Sequence, residues 1–146
     1  MGDLFDRQAL IRILALPLVL IAAACDEGGA SDDAVRFATL QEEIFTPKCT
    51  LASCHTASFH AGELVLEPEQ AYAELVEGEV FQEAAAADGL ELVVPGDAAA
   101  SFLWMKVQTG LDARYGTMMP QGSAAGLPED DVALIERWIE DGAAND

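Results

Sequence analysis

The sequence predicts an all-α domain of a few short helices joined by long loops. Two observations carry that prediction. Apolar residues recur at helical spacing near both ends of the segment from Ala34 to Asp146. Between them, Gly and Pro cut the chain into short pieces, and no series of alternating residues is long enough to build a sheet.

The first 24 residues stand apart from this domain. Arg7 and Arg12 precede an uninterrupted apolar run from Ile13 to Ala24. The run is shorter than the roughly 20 residues of a permanent membrane span. A basic start, a short apolar core and small residues before a cut mark a secretory signal peptide. Ala22-Ala23-Ala24-Cys25 resembles the lipobox of bacterial lipoproteins, with Ala22 in place of the usual larger aliphatic residue. It implies a signal of lipoprotein type over residues 1–24 and lipidation at Cys25; an ordinary signal peptide cut near Ala24 is the alternative. Residues 25–33, with Asp26 to Asp33 small and polar, read as a tether from that anchor to the domain at 34–146. The expected location is the periplasmic side of a bacterial membrane, on a lipid anchor.

The domain's elements follow in order. Phe37, Leu40 and Ile44 form one stripe and predict a helix over Ala34–Phe45, with Asp32 or Asp33 as its cap and Pro47 as its stop. Thr56 to Glu67 reads as a loop with an extended piece at Leu64–Leu66. Pro68 opens a helical turn through Ala71, Tyr72 and Leu75, ended by Gly78. Val80 to Ala87 reads as another short helix. Leu92 to Gly96 is an apolar run into a turn, and Asp97 is expected to cap a helix from Ala98 to about Gln108. Residues 110–126 are irregular, broken by four glycines and Pro120. Pro128 then begins the clearest helix. Its first turn carries Glu129, Asp130 and Asp131, where the helix dipole favours negative charge. Val132, Ile135, Trp138 and Ile139 make its apolar stripe, and Gly142 supplies the stop.

The formal charge is −19, and the signal segment does not change it, since Asp3 and Asp6 balance Arg7 and Arg12. Such a surface repels nucleic acid and anionic lipid head groups and can steer basic partners, but solubility alone accounts for it and the charge identifies no partner. With Cys25 assigned to the anchor, Cys49 and Cys54 form an isolated pair. In an exported chain such a pair is a disulfide, half of a metal site or a haem attachment site.

The pair is followed at once by His55. Covalent haem attachment uses C-x-x-C-H, in which two thiols bond the vinyl groups and the adjacent imidazole meets the iron. Here the order holds but the spacing is C-x-x-x-x-C-H, so Thr50 to Ser53 must bulge outward to keep both sulfurs in reach. A thioether on the other face of the iron suits an electron carrier. Met118 and Met119 lie downstream in the Gly-rich loop. Met119, which directly precedes Pro120, is the expected distal ligand and Met118 the alternative. Met105 falls in a helical stripe and reads as packing. His60 offers a second imidazole but reads as a surface or supporting side chain. Arg114, Tyr115 and Trp104 are either donors to the haem propionates or a surface Arg and packed aromatics.

Taken together, Ile44 through Cys54-His55, then Val93-Val94-Pro95-Gly96-Asp97 with Ser101-Phe102-Leu103, then Met119-Pro120, then Trp138-Ile139-Glu140-Asp141-Gly142-Ala143, resemble the cytochrome c-like domains of exported proteins in planctomycetes and myxobacteria. Several such domains carry longer attachment spacings. The resemblance implies a class I cytochrome c fold around one covalent haem c. It implies Cys49 and Cys54 as attachment points, His55 as proximal ligand and Met119 as distal ligand. Its N- and C-terminal helices would pack across one another through Phe37, Leu40, Ile44 and Trp138. The expected function is electron transfer to a redox partner protein, not catalysis.

Two other readings use the same residues. Cys49, Cys54, His55 and His60 supply two sulfur and two nitrogen ligands for zinc, although adjacent Cys54 and His55 fit one tetrahedron poorly. Alternatively, a Cys49–Cys54 disulfide stabilises a surface interaction module. For an enzyme, no Ser/His/Asp set and no phosphate-cradling Gly loop stands out.

Overall fold

The computed structural model describes residues 34–51 and 53–146. The signal segment, Cys25, the tether to Asp33 and the expected caps Asp32 and Asp33 lie outside the described residues. Among the described residues the regular structure is helical, with no strand beyond an isolated bridge between Glu91 and Ser101. No described helix is long and apolar enough to cross a membrane.

The first helix, α1 (Phe37–Leu40), runs directly into a wider π-helix, Gln41–Cys49. The expected stop at Pro47 is corrected: Pro47 lies inside the π-helix. Proline carries no N–H, and in an α-helix its ring would collide with the carbonyl four residues back. The wider turn is compatible with both. The Thr50 N–H reaches back five residues to the Phe45 carbonyl at 3.0 Å, and the Thr50 hydroxyl donates to the Thr46 carbonyl. The helical run therefore delivers Cys49 as its last residue.

Three short helices follow: α2 (Ala71–Glu77), α3 (Glu83–Ala87) and α4 (Phe102–Val107). Gly78 ends α2, and a Cβ there would lie 2.2 Å from the Glu74 carbonyl oxygen. The helix expected from Ala98 begins four residues later. Asp97 does cap a turn, accepting from the Ala100 N–H at 2.9 Å. Longer-range bonds then hold the chain out of helical geometry. Ser101 is fully buried, and its hydroxyl accepts from the Val94 N–H and donates to the Asp97 carbonyl. The Phe102 and Leu103 amides donate to Glu91 and Leu92, each at 2.9 Å. The loop after α4 contains a 3₁₀ turn, Ala113–Tyr115, and a cis Met119–Pro120 bond.

The last helix, α5 (Glu129–Glu140), buries Ile135, Trp138 and Ile139 and keeps Val132 half-buried. Gly142 turns the chain away at φ 101°, and Ala143 N–H closes the end on the Trp138 carbonyl at 2.8 Å. Helices α1 and α5 meet in the main core. The Phe37 and Trp138 ring centroids are 5.3 Å apart, and Leu40 and Ile44 are fully buried in the same cluster. The Trp138 indole N–H donates to Ala144 O, so this buried ring leaves no donor unmet. The start of α1 is closed from far along the chain: Phe37 N–H donates to the Asp146 carboxylate at 3.0 Å, and Ala38 N–H to its main-chain oxygen.

Candidate functional site

Cys49 stands at the end of the π-helix, and the chain then folds back on itself. The Cys54 N–H donates to the Leu51 carbonyl at 2.8 Å, and the His55 N–H to the Cys49 carbonyl at 3.1 Å. The two ends of the four-residue spacer are therefore tied together. The amide after the second cysteine is bonded to the carbonyl of the first. Leu51 points outward, more than half exposed. Further bonds fasten this loop to the next segment: Ala61 N–H to Cys54 O at 3.2 Å and Leu66 N–H to His55 O at 2.8 Å.

The two thiols are free and half-buried. Burial pushes the Cys49 thiol up to about 11; the neighbouring Cys54 adds to that, Lys48 opposes it and Asp131 reinforces it. Lys48 forms an ion pair with the buried Asp131 of α5, which ties the cysteine-bearing turn to the last helix.

The His55 ring is oriented by the backbone. Its Nδ1 lies 3.2 Å from the Leu64 carbonyl oxygen. A carbonyl only accepts, so Nδ1 carries the hydrogen and Nε2 keeps its lone pair. Burial lowers the pKa of His55; the bonds to backbone at Leu64 and Ala61 oppose this, and the positive charge of Lys106 assists it. The ring is thus held as a neutral imidazole, the form in which histidine binds a metal.

Cys49, Cys54 and His55 all line one cavity of about 560 Å³, and Met119 lines it too. That volume falls within the roughly 300–1,000 Å³ typical of small-molecule and cofactor pockets. The other walls are mainly apolar, from Phe45, Leu64, Leu66, Phe102, Leu103 and Ile135 among others. Met119 is fixed by its N–H, which donates to the Lys106 carbonyl at 2.7 Å. Met118 does not line the cavity. It lies beside Gly126, where an added Cβ would come within 3.2 Å of the Met118 methyl.

Of the remaining candidates, His60, Arg114 and Trp104 do not line the cavity. His60 is exposed, with Nδ1 3.3 Å from the Ala57 carbonyl and Nε2 3.8 Å from Glu63. Among the described residues no group of three or more His, Cys, Asp or Glu side chains is arranged to hold a metal ion. Arg114 is engaged with Asp88 at 2.7 Å, with the Tyr115 hydroxyl at 2.6 Å and with Asp112 at 3.4 Å. Tyr115 does line the cavity, but its hydroxyl donates to Asp88. Trp104 packs on the main core, and its buried indole N–H has no partner.

One cavity residue of consequence was not singled out by sequence. Lys106 lines the wall, and its ammonium donates to the Thr117 carbonyl at 2.6 Å and the Tyr115 carbonyl at 3.2 Å. Its one available signal was scarcity, since the chain has only two lysines, and Lys48 is the other.

No family model, curated protein or solved structure matches this chain.

Proposed function

We propose that this chain is an exported, lipid-anchored, c-type cytochrome-like electron carrier that holds one haem c in the cavity between its helices. The observation that carries the proposal is the convergence of Cys49, Cys54, His55 and Met119 on one largely apolar cavity. These residues fit the group. The two thiols would hold it by thioether bonds, with His55 as the proximal and Met119 as the distal ligand. When bound, haem supplies one-electron redox chemistry, and the protein sets the potential through axial ligands and burial.

The chain's own residues each contribute a definite part. The Leu64 carbonyl fixes the His55 tautomer and ring orientation and increases the ring's basicity as a ligand. The bond from His55 N–H to the Cys49 carbonyl ties the two ends of the longer spacer together. The mainly apolar walls suit the ring of such a group. Met119 as a ligand would suit simple electron transfer rather than catalysis.

Two measurements test the proposal. The exported protein should give a pyridine haemochrome spectrum of a c-type haem, and its intact mass should include one haem. A colourless mature protein of apoprotein mass would sink it. Met119→Ala should then abolish the methionine–iron charge-transfer band. If the band survives in Met119→Ala but is lost in Met118→Ala, the distal assignment moves to Met118.

A further inference from the structure

The charge distribution around the cavity is unlike that of the chain. The sequence holds 26 acidic residues, yet among the described residues none lines the cavity. Both of the chain's lysines do. Lys48 is already neutralised by Asp131. Lys106 has no carboxylate partner among the described residues; its ammonium is held by the Tyr115 and Thr117 carbonyls alone. A lysine ammonium has three N–H donors, so these two bonds leave one. The stem is pinned as well, since the ammonium sits 5.7 Å from the Phe102 ring centroid and the Lys106 carbonyl accepts from Met119.

A part-buried cation with neutral partners is an incomplete pair. Burying a charge is costly unless it is both hydrogen-bonded and paired. Here the hydrogen bonds are supplied, and among the described residues no counter-charge meets the ammonium and no carboxylate lines the wall.

We infer that Lys106 is the anion contact of this cavity: it pairs with a carboxylate carried by the apolar group bound there. This rests on the haem reading, because a haem bears two carboxylates on an otherwise apolar ring. It also moves the expected carboxylate contact away from Arg114, which Asp88 and Asp112 already occupy.

Metal-free protoporphyrin and its dimethyl ester are the probes that separate the two ideas. Both have the same ring, neither needs iron or thioether bonds, and only the diacid carries charge. The full chain, purified without haem, is titrated with each, and binding is read by porphyrin fluorescence. The expected result is tighter binding of the diacid than of the ester. Lys106→Met should weaken the diacid about tenfold, the scale of one charge-assisted hydrogen bond, and leave the ester unchanged. Lys106→Arg should restore most of the diacid affinity. Unchanged ester affinity also establishes that the variant is folded. Equal loss for both probes would mean that Lys106 only holds the Tyr115–Met119 loop, and overturns the inference. Diacid binding that ignores Lys106→Met overturns it too, while leaving the cavity reading intact. A wild-type chain that binds neither porphyrin overturns both.

Discussion

Cys49 is costlier to ionise than an ordinary thiol, and the cause is local. It sits at the end of a helical run, beneath apolar walls, with Cys54 and Asp131 both disfavouring negative charge there. The sign of the consequence is definite. In the unfolded chain the thiol ionises near its ordinary value of 9, whereas in the folded chain it holds its proton until about 11. Its contribution to stability is therefore complete below pH 9 and is lost as pH rises toward 11. In the haem-free chain, alkylation of Cys49 should be slow at neutral pH and should rise with a midpoint near 11. A midpoint at or below 9 would mean that the thiol is not buried as described. Asp131→Asn should shift the midpoint downward, because it removes one of the charges that oppose ionisation.

At this scale the site was partly legible in sequence. Cys54 and His55 are adjacent, so their partnership needs no fold to be seen. Met119 was marked by its neighbour Pro120, and it lines the cavity where Met118 does not. Lys106 was not legible, because its environment is made by residues nine to thirteen positions away that the irregular loop brings back. No helical or strand periodicity records such a contact.

Among the elements, α5 was the most legible and the segment before α4 the least. An apolar stripe with an acidic first turn and a terminal Gly specifies a helix by local rules alone. Residues 98–101 obey a different rule. The helix that Asp97 could have begun is displaced by the Ser101 hydroxyl and by amide bonds to Glu91 and Leu92, all of them tertiary. The join between α1 and α5 is where the two ends of the domain depend on each other. Trp138 is completely buried against Phe37 and Tyr72, with ring centroids 5.3 and 6.4 Å away. Trp138→Ala should cost about 3–5 kcal/mol of stability, the range for removing a large buried aromatic side chain, measured by urea unfolding of the haem-free chain. A cost under about 1 kcal/mol, typical of surface sites, would show that the two helices do not share a core.

Seen as a whole, the molecule presents two electrostatic faces to an approaching partner. Its far field is strongly negative, set by a formal charge of −19. Its cavity wall is the exception, with two lysines and, among the described residues, no carboxylate. Which of the two governs encounter is decided by distance. Screening extends to about 30 Å at 0.01 M salt and about 8 Å at 0.15 M, so the net charge dominates at low salt. If the protein carries an electron through a bound haem, its second-order rate with a cationic metal-complex reductant should exceed that with an anionic one of similar driving force. The advantage should shrink as salt is raised from 0.01 to 0.15 M. Stopped-flow mixing at several ionic strengths measures this directly. The opposite order, with the anionic reagent faster, would place the encounter under the lysines at the cavity wall. A basic partner protein would then be the wrong expectation. Lys106→Met separates the cases further: it should leave the cationic reagent's salt slope nearly unchanged, because one charge in −19 barely alters the far field.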